Sequence, residues 1–142
     1  MKTKKNVVFI FNDLGLSKNG FILKAKHFNC DFKNFAYPED FEEWLIKEPS
    51  AIQNIKLIVL GQYFPGDGSK QRESGPSRGI LFYKRLLEND NFKKIPLILI
   101  AEIEKQEEYL KKCKEYKVTL RDTPVDIMKF SGIYRQKLKM KN

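Results

Sequence analysis

Residues 55–68 read Ile55-Lys-Leu-Ile-Val-Leu-Gly61-Gln-Tyr-Phe-Pro-Gly-Asp-Gly68. Four consecutive aliphatic side chains, at positions 57–60, are followed at once by a turn rich in proline and glycine. An apolar run this short, ended by residues that interrupt regular structure, is typical of a strand buried on both faces in a parallel sheet. Open α/β sheets bind their ligands at the carboxyl ends of such strands. The run therefore predicts a central strand and a site near Gly61.

The rest of the chain alternates similar apolar runs with amphipathic segments. Further strands are predicted at residues 6–11, 30–37, 95–100 and 118–120. Helices are predicted at residues 19–27, 39–48, 80–87, 104–116 and 124–140, and a long loop at residues 65–79. Together these elements predict an α/β fold of the (βα)5 type, with a five-stranded parallel sheet and helices on both faces. We expect a single domain over residues 1–142.

The composition restricts the classes of function. A net charge of +9 suggests an anionic partner, although a lysine-rich solvated surface explains the same count. The two cysteines, Cys30 and Cys113, are far apart and His27 is the single histidine, which argues against a Cys/His metal site and for free thiols. No apolar run approaches the roughly 18 residues of a membrane span, so we expect a cytoplasmic protein.

The strand ends resemble those of the receiver domain of bacterial response regulators. Residues 57–68 are similar to the third strand of that family, its phosphoacceptor loop and the Pro-Gly turn that follows. Residues 8–13 and 95–101 resemble the first and fourth strands, and Thr123-Pro124 stands where the family has Lys-Pro. The resemblance covers nearly the whole chain in the order of its elements. It implies a flavodoxin-like fold with strand order 2-1-3-4-5.

The residues that would perform phosphotransfer are replaced. The resemblance places Gly61 where the family has its phosphoacceptor Asp, and glycine has no nucleophile that could form an acyl phosphate. Asp13 stands beside Asn12, where a Mg²⁺ site needs clustered carboxylates. Ala101 replaces the switch Ser/Thr, and Thr123 replaces the phosphate-pairing Lys. The pattern predicts a pseudo-receiver without enzymatic activity, metal or cofactor, which signals or scaffolds through protein–protein contact.

The loop at residues 65–79 suggests a second function. Its glycines free backbone N–H groups, its arginines can bind oxyanions, and a helix begins near its end, so it suits a phosphate or nucleotide ligand. It contains no GxxxxGK[ST] motif and is not a P-loop. A solvated loop without a ligand is the alternative interpretation. The candidate ligand-binding residues are Ser69, Lys70, Arg72, Ser74, Ser77 and Arg78.

Cations on the last two predicted helices suggest a partner surface. In receivers the fourth helix, fifth strand and fifth helix form such a surface, so the resemblance implies a protein partner or a homodimer there. Charge alone also permits nucleic acid, but the sequence has no recognition-helix motif. The candidate residues are Lys111, Lys112, Lys114, Arg135 and Lys137.

Overall fold

Four parallel strands form the centre of the molecule. The computed structural model describes residues 4–10, 18–61, 76–100, 106–121, 124–126 and 129–140, without the side chains of residues 18 and 76–78. Within them the strands are β1 (Lys5–Ile10), β2 (Cys30–Phe35), β3 (Ile55–Gly61) and β4 (Leu97–Ile100). Their order in the sheet is β2-β1-β3-β4, and every pair is parallel. The predicted mixed α/β class and the order of these four strands are confirmed.

Five helices alternate with the strands. They are α1 (Lys18–His27), α2 (Pro38–Lys47), α3 (Pro76–Glu88), α4 (Gln106–Glu115) and α5 (Phe130–Lys139). Short 3-10 helices at Pro49–Asn54 and Asp90–Phe92 lead into β3 and β4, respectively. None of these described helices has both the length and the apolar character needed to cross a membrane.

One face of the sheet carries α1 and α5. Phe9 of β1 is fully buried, and its ring lies 5.7 Å from that of Phe21 in α1 and 5.7 Å from that of Tyr134 in α5. The two helices also contact each other, because the Tyr134 hydroxyl donates a 2.8 Å hydrogen bond to the Phe21 carbonyl. An aromatic cluster therefore fixes α1 and α5 side by side.

The other face carries α2, α3 and α4. Phe32 of β2 lies on the α1 and α5 side, because its ring is 4.7 Å from that of Phe9. Side chains alternate between faces along a strand, so Phe35, three residues later, points to the opposite face. The Phe35 ring lies 5.7 Å from that of Phe41 in α2, and Phe41 lies 6.0 Å from Phe82 in α3. Helix α4 in turn contacts α3. The buried strands thus lie between two helix layers, as their continuous apolar runs predict.

Helix α3 begins earlier than the sequence predicts. Its first residue is Pro76, so the last four positions of the predicted 65–79 loop belong to the helix. Proline suits the first helical turn because its fixed φ is already helical and its missing N–H is not needed there. Ser77 therefore lies inside the helix, after its first residue, and is not the N-cap.

The predicted strand at residues 118–120 is not a strand in the structure. Instead, Val125 makes an isolated parallel bridge to Ile100, and its N–H donates to the Leu99 carbonyl at 2.7 Å. This bond holds the backbone at the edge of the sheet. Helix α5 accordingly begins at Phe130, and the predicted helical start at residue 124 is wrong.

Arg121 attaches the segment that follows α4 to the start of β4. Its guanidinium donates to the Lys93 carbonyl at 3.0 Å and to the Ile95 carbonyl at 2.7 Å. Its backbone N–H donates to the Tyr83 hydroxyl in α3 at 2.6 Å. A single residue therefore connects α3, the approach to β4 and the chain beyond α4.

Candidate functional site

Gly61 lies where the sequence predicts it, at the carboxyl end of the central strand. It is buried and pairs in register with Ile100, the last residue of β4. Ile10, the last residue of β1, pairs with Leu60. The strands that precede Asn12 and Ala101 in sequence therefore end beside Gly61. Asn12, Asp13, Ala101 and Thr123 themselves lie outside the described residues.

The predicted anion-binding loop is largely outside the described part of the chain. Ser69, Lys70, Arg72 and Ser74 belong to residues that are not described. The backbone of Ser77 and Arg78 forms the first turn of α3. Binding of a phosphate or nucleotide by this loop stays a prediction.

The predicted partner surface is divided between two helices with different surroundings. Lys111 pairs with Glu107 at 3.9 Å and Lys112 with Glu115 at 3.3 Å, both within α4. Lys114 is exposed on the same helix. The other two candidate residues, Arg135 and Lys137, belong to α5. Since α4 contacts α3 and α5 contacts α1, the two groups of cations belong to opposite helix layers of the sheet.

A groove of about 870 Å³ lies between α2, α3 and the turn Asp90–Phe92. The carboxyl end of α2 leads towards the start of β3, and the turn leads into the start of β4. The groove therefore lies towards the amino end of the parallel strands, away from the end that holds Gly61. The sequence interpretation placed the candidate pocket at the other end and missed this one.

Aromatic side chains form the floor of the groove. Phe41 is fully buried and contacts Phe82 and Phe92, whose ring centroids are 6.0 and 6.1 Å away. By contrast, Ile46, five residues further along α2 on the groove wall, is 77% exposed. Leu45 beside it is half-buried. The accessible apolar surface of the groove is therefore supplied by Ile46 and Leu45 on its α2 wall, above a floor of buried rings.

Acidic and amide side chains surround this apolar floor. Glu42 of α2 and Arg85 of α3 form a 2.6 Å ion pair across it, and the Arg85 guanidinium lies 5.5 Å from the centre of the Phe82 ring. A hydrogen bond from Lys93 lowers the pKa of the Asp90 carboxyl. Glu88 is exposed and has no ion-pair partner among the described residues. Asp90 is paired with Lys93 at 2.7 Å and Arg85 with Glu42 at 2.6 Å, so Glu88 is the acidic group of the rim that the described residues leave unneutralised.

Both thiols are free and buried, and neither lies in the groove. Burial is the main reason that the pKa of Cys30 and of Cys113 is raised. A raised pKa keeps a thiol in its protonated, weakly nucleophilic form. The two thiols therefore act as small apolar side chains in the core.

No protein-family model and no curated protein matches the sequence. The function must therefore be argued from the residues and their geometry.

Proposed function

We propose that this chain is a protein-docking module for signalling or scaffolding, with a receiver-like, flavodoxin-like fold and no phosphotransfer activity. The observation that carries the proposal is the groove between α2 and α3, which no other part of the described chain covers. Its floor of Phe41 and Phe82 is buried and packed, while Ile46 on its wall is exposed. Exposed apolar surface with a polar rim is characteristic of protein interaction sites.

The fold supports a receiver-like identity at two points. The strand order β2-β1-β3-β4 is the first part of the order 2-1-3-4-5. The bridge from Val125 to Ile100 lies beyond β4, on the side where a fifth strand would pair. Gly61 at the end of β3 supplies no side chain for an acyl phosphate.

The partner is a segment of another protein that carries apolar side chains with lysines or arginines beside them. The apolar wall at Ile46 and Leu45 would contact the hydrophobic stripe of an amphipathic helix, a common occupant of such grooves. Glu88 on the rim, which has no ion-pair partner among the described residues, would attract flanking cations and disfavour flanking acids. Ile46 would supply contact area near the middle of the interface.

A synthetic helix with leucines on one face and lysines on the other tests the groove. Backbone amide shifts of the labelled protein should change around Ile46, Arg85 and Phe92. A second peptide with glutamates in place of the lysines should bind at least about tenfold more weakly, because the rim repels it. Equal binding of the two peptides, or shifts confined to other helices, would contradict the proposal.

A matched pair of variants separates docking from non-specific adhesion. Ile46→Asp places a charge on the groove wall and should weaken binding of the lysine peptide at least about tenfold. Leu110→Asp makes the same change on α4, where 44% of the side chain is exposed and the residue does not line the groove. It should leave binding within about twofold of the wild type. Equal losses in both variants would show that the peptide does not recognise this groove.

The absence of phosphotransfer needs its own measurement. Incubation with acetyl phosphate and Mg²⁺, followed by intact mass spectrometry, should leave the mass unchanged because Gly61 has no acceptor oxygen in its side chain. A stable phosphoryl adduct on any aspartate would refute this part of the proposal. It would leave the groove experiment unaffected.

A further inference from the structure

Two of the described helices contain no acidic residue. Helix α1 carries three lysines, and α5 carries one arginine and two lysines. The helices of the other face are together close to neutral: α2 has four acidic residues against one lysine, α3 has one acidic against three basic residues, and α4 has three of each. Among the described helices, the excess positive charge is therefore concentrated on the two that lie side by side.

Three of these cations, Lys26, Arg135 and Lys139, are exposed to solvent. Phe130, Tyr134 and Leu138 are buried at successive helical turns and form the inner stripe of α5. Arg135 and Lys139 lie on the opposite, exposed side of that helix. In α1, Ala25 is buried, whereas Asn19, Leu23 and Lys26 are exposed. We call the surface formed by the exposed sides of these two helices the α1/α5 face.

These cations have no acidic partners among the described residues. Lys26, Arg135 and Lys139 are exposed and make no ion pair there. Lys111 and Lys112 of α4, in contrast, are each paired with a glutamate of their own helix. The α1/α5 face thus holds a concentrated charge that nothing in the described chain neutralises.

We propose that the α1/α5 face binds the phosphate backbone of a nucleic-acid duplex, without sequence preference. Contacts from lysine and arginine to phosphates supply most of the affinity in such complexes. The helices are about 15 Å long, and one strand of a duplex places a phosphate every 3.4 Å or so along its axis. About four phosphates of one strand can therefore lie along the face.

Small and polar residues between the cations favour phosphate over lipid. Gly20 and Gly132 are both exposed, and a Cβ atom built at either would meet nothing within 4 Å. Packing inside the protein therefore does not require glycine at these two positions. The missing side chain would let a nucleic-acid backbone approach the helix closely. Leu23 is the only strongly exposed large apolar side chain on the described parts of α1 and α5, and membrane-bound helices need several.

The aromatic residues of these helices favour a duplex over a single strand. Single-strand binding proteins stack bases on accessible rings. Here the rings of Phe21, Phe130 and Tyr134 pack on one another, with centroids 4.9 to 5.5 Å apart, and Phe130 and Tyr134 are buried. They are not available for stacking, so recognition must rest on the backbone alone.

Fluorescence anisotropy with labelled duplexes of about 20 base pairs, at about 50 mM salt, tests the proposal. The wild type should bind two unrelated sequences equally. Three phosphate contacts predict an affinity that falls about 20-fold when salt is raised threefold, and a single strand should bind more weakly. The triple variant Lys26→Gln, Arg135→Gln, Lys139→Gln should lose at least about tenfold in affinity and most of the salt dependence.

The matched control removes the same charge from α4, by Lys111→Gln, Lys112→Gln and Lys114→Gln. This variant should bind a duplex within about threefold of the wild type, and circular dichroism should show that both variants are folded. Equal losses in the two variants would overturn the proposal, because net charge alone would then explain binding. Failure of the wild type to bind either duplex would also overturn the proposal. Binding to phosphatidylserine vesicles but to no duplex would also overturn it, by assigning the face to a membrane.

Discussion

Two buried tyrosines of this protein differ in a single hydrogen bond. The Tyr134 hydroxyl donates to the Phe21 carbonyl at 2.8 Å. The Tyr109 hydroxyl is fully buried and has no hydrogen-bond partner among the described residues. A buried hydroxyl that loses its hydrogen bonds to water and gains none costs about 1–3 kcal/mol. The same chemical group is therefore stabilising at one position and destabilising at the other.

Phenylalanine at each position should have opposite effects. Tyr134→Phe should lower the free energy of unfolding by about 1 kcal/mol, because it removes the bond to the Phe21 carbonyl. Tyr109→Phe should leave that free energy unchanged or raise it by up to about 1 kcal/mol, because it removes only an unsatisfied group. Urea denaturation of both variants measures the difference. A loss at Tyr109 as large as that at Tyr134 would show that its hydroxyl has a partner after all.

Sequence patterns identified some important residues and missed others for a physical reason. Gly61 was predictable because an apolar run and its termination are local features of the sequence. Ile46 and Arg85 were not, because a helix exposes many such residues and only packing shows which of them line a groove. Arg121 was also missed, since its partners are backbone carbonyls at residues 93 and 95.

Among the helices, the end of α4 is notable because it carries a lysine in a left-handed conformation. Lys117 has φ 57°, which is uncommon for any residue with a Cβ atom. Its N–H donates to the Lys114 carbonyl, and the N–H of Val118 donates to the Cys113 carbonyl at 2.8 Å. This pair of bonds is the Schellman arrangement, in which glycine is the usual residue at this position.

Lys117→Gly should therefore stabilise the protein. Glycine adopts positive φ without steric cost, and the gain in the free energy of unfolding should be about 1 kcal/mol. The matched control is Lys117→Ala, which removes the same charge but keeps a Cβ atom and should bring no such gain. Thermal or urea denaturation measures both. Equal stabilisation by the two variants would mean that removing the charge, and not relieving the backbone, is responsible.

Strands with apolar runs were easier to predict than the ends of helices. The predicted runs at residues 57–60 and 95–100 correspond to β3 and β4 within a few residues, because burial on both faces demands apolar side chains throughout. The start of α5 was predicted six residues too early. The hydrogen bond from Val125 to the Leu99 carbonyl decides that boundary, and no local pattern reveals a bond to a residue 26 positions away.

At the scale of the whole molecule, the sheet separates two surfaces of different charge. The α1/α5 face is positive, whereas α2 on the other face is acidic and borders the apolar groove. The net charge of +9 was visible in the sequence, but its distribution depends on which helices become neighbours. Helix α5 packs beside α1, which lies more than 100 residues earlier in the chain, so no local pattern of the sequence indicates that the cations of these two helices share a face.

The core also gives the molecule a defined response to alkaline pH. Burial raises the pKa of Tyr109 and of Tyr134 well above the ordinary value of 10.0. It also raises the pKa of Cys30 and of Cys113 above 9.0. Lys56, which is partly exposed, shows the opposite shift, because burial lowers the pKa of its ammonium group. Each raised pKa favours the protonated group in the folded state.

The contribution of Tyr109 can be isolated by comparing the wild type with Tyr109→Phe across pH. Below about pH 9 the tyrosine is protonated in both the folded and unfolded states, so the difference in stability between the two proteins is constant. Above about pH 10 only the unfolded chain releases the proton, so the wild type should lose up to about 1.4 kcal/mol per pH unit relative to the variant. Urea denaturation at several pH values between about 8 and 11 measures this difference. A constant difference over that range would mean that Tyr109 ionises equally in both states, and that its ring is not held in the dry core.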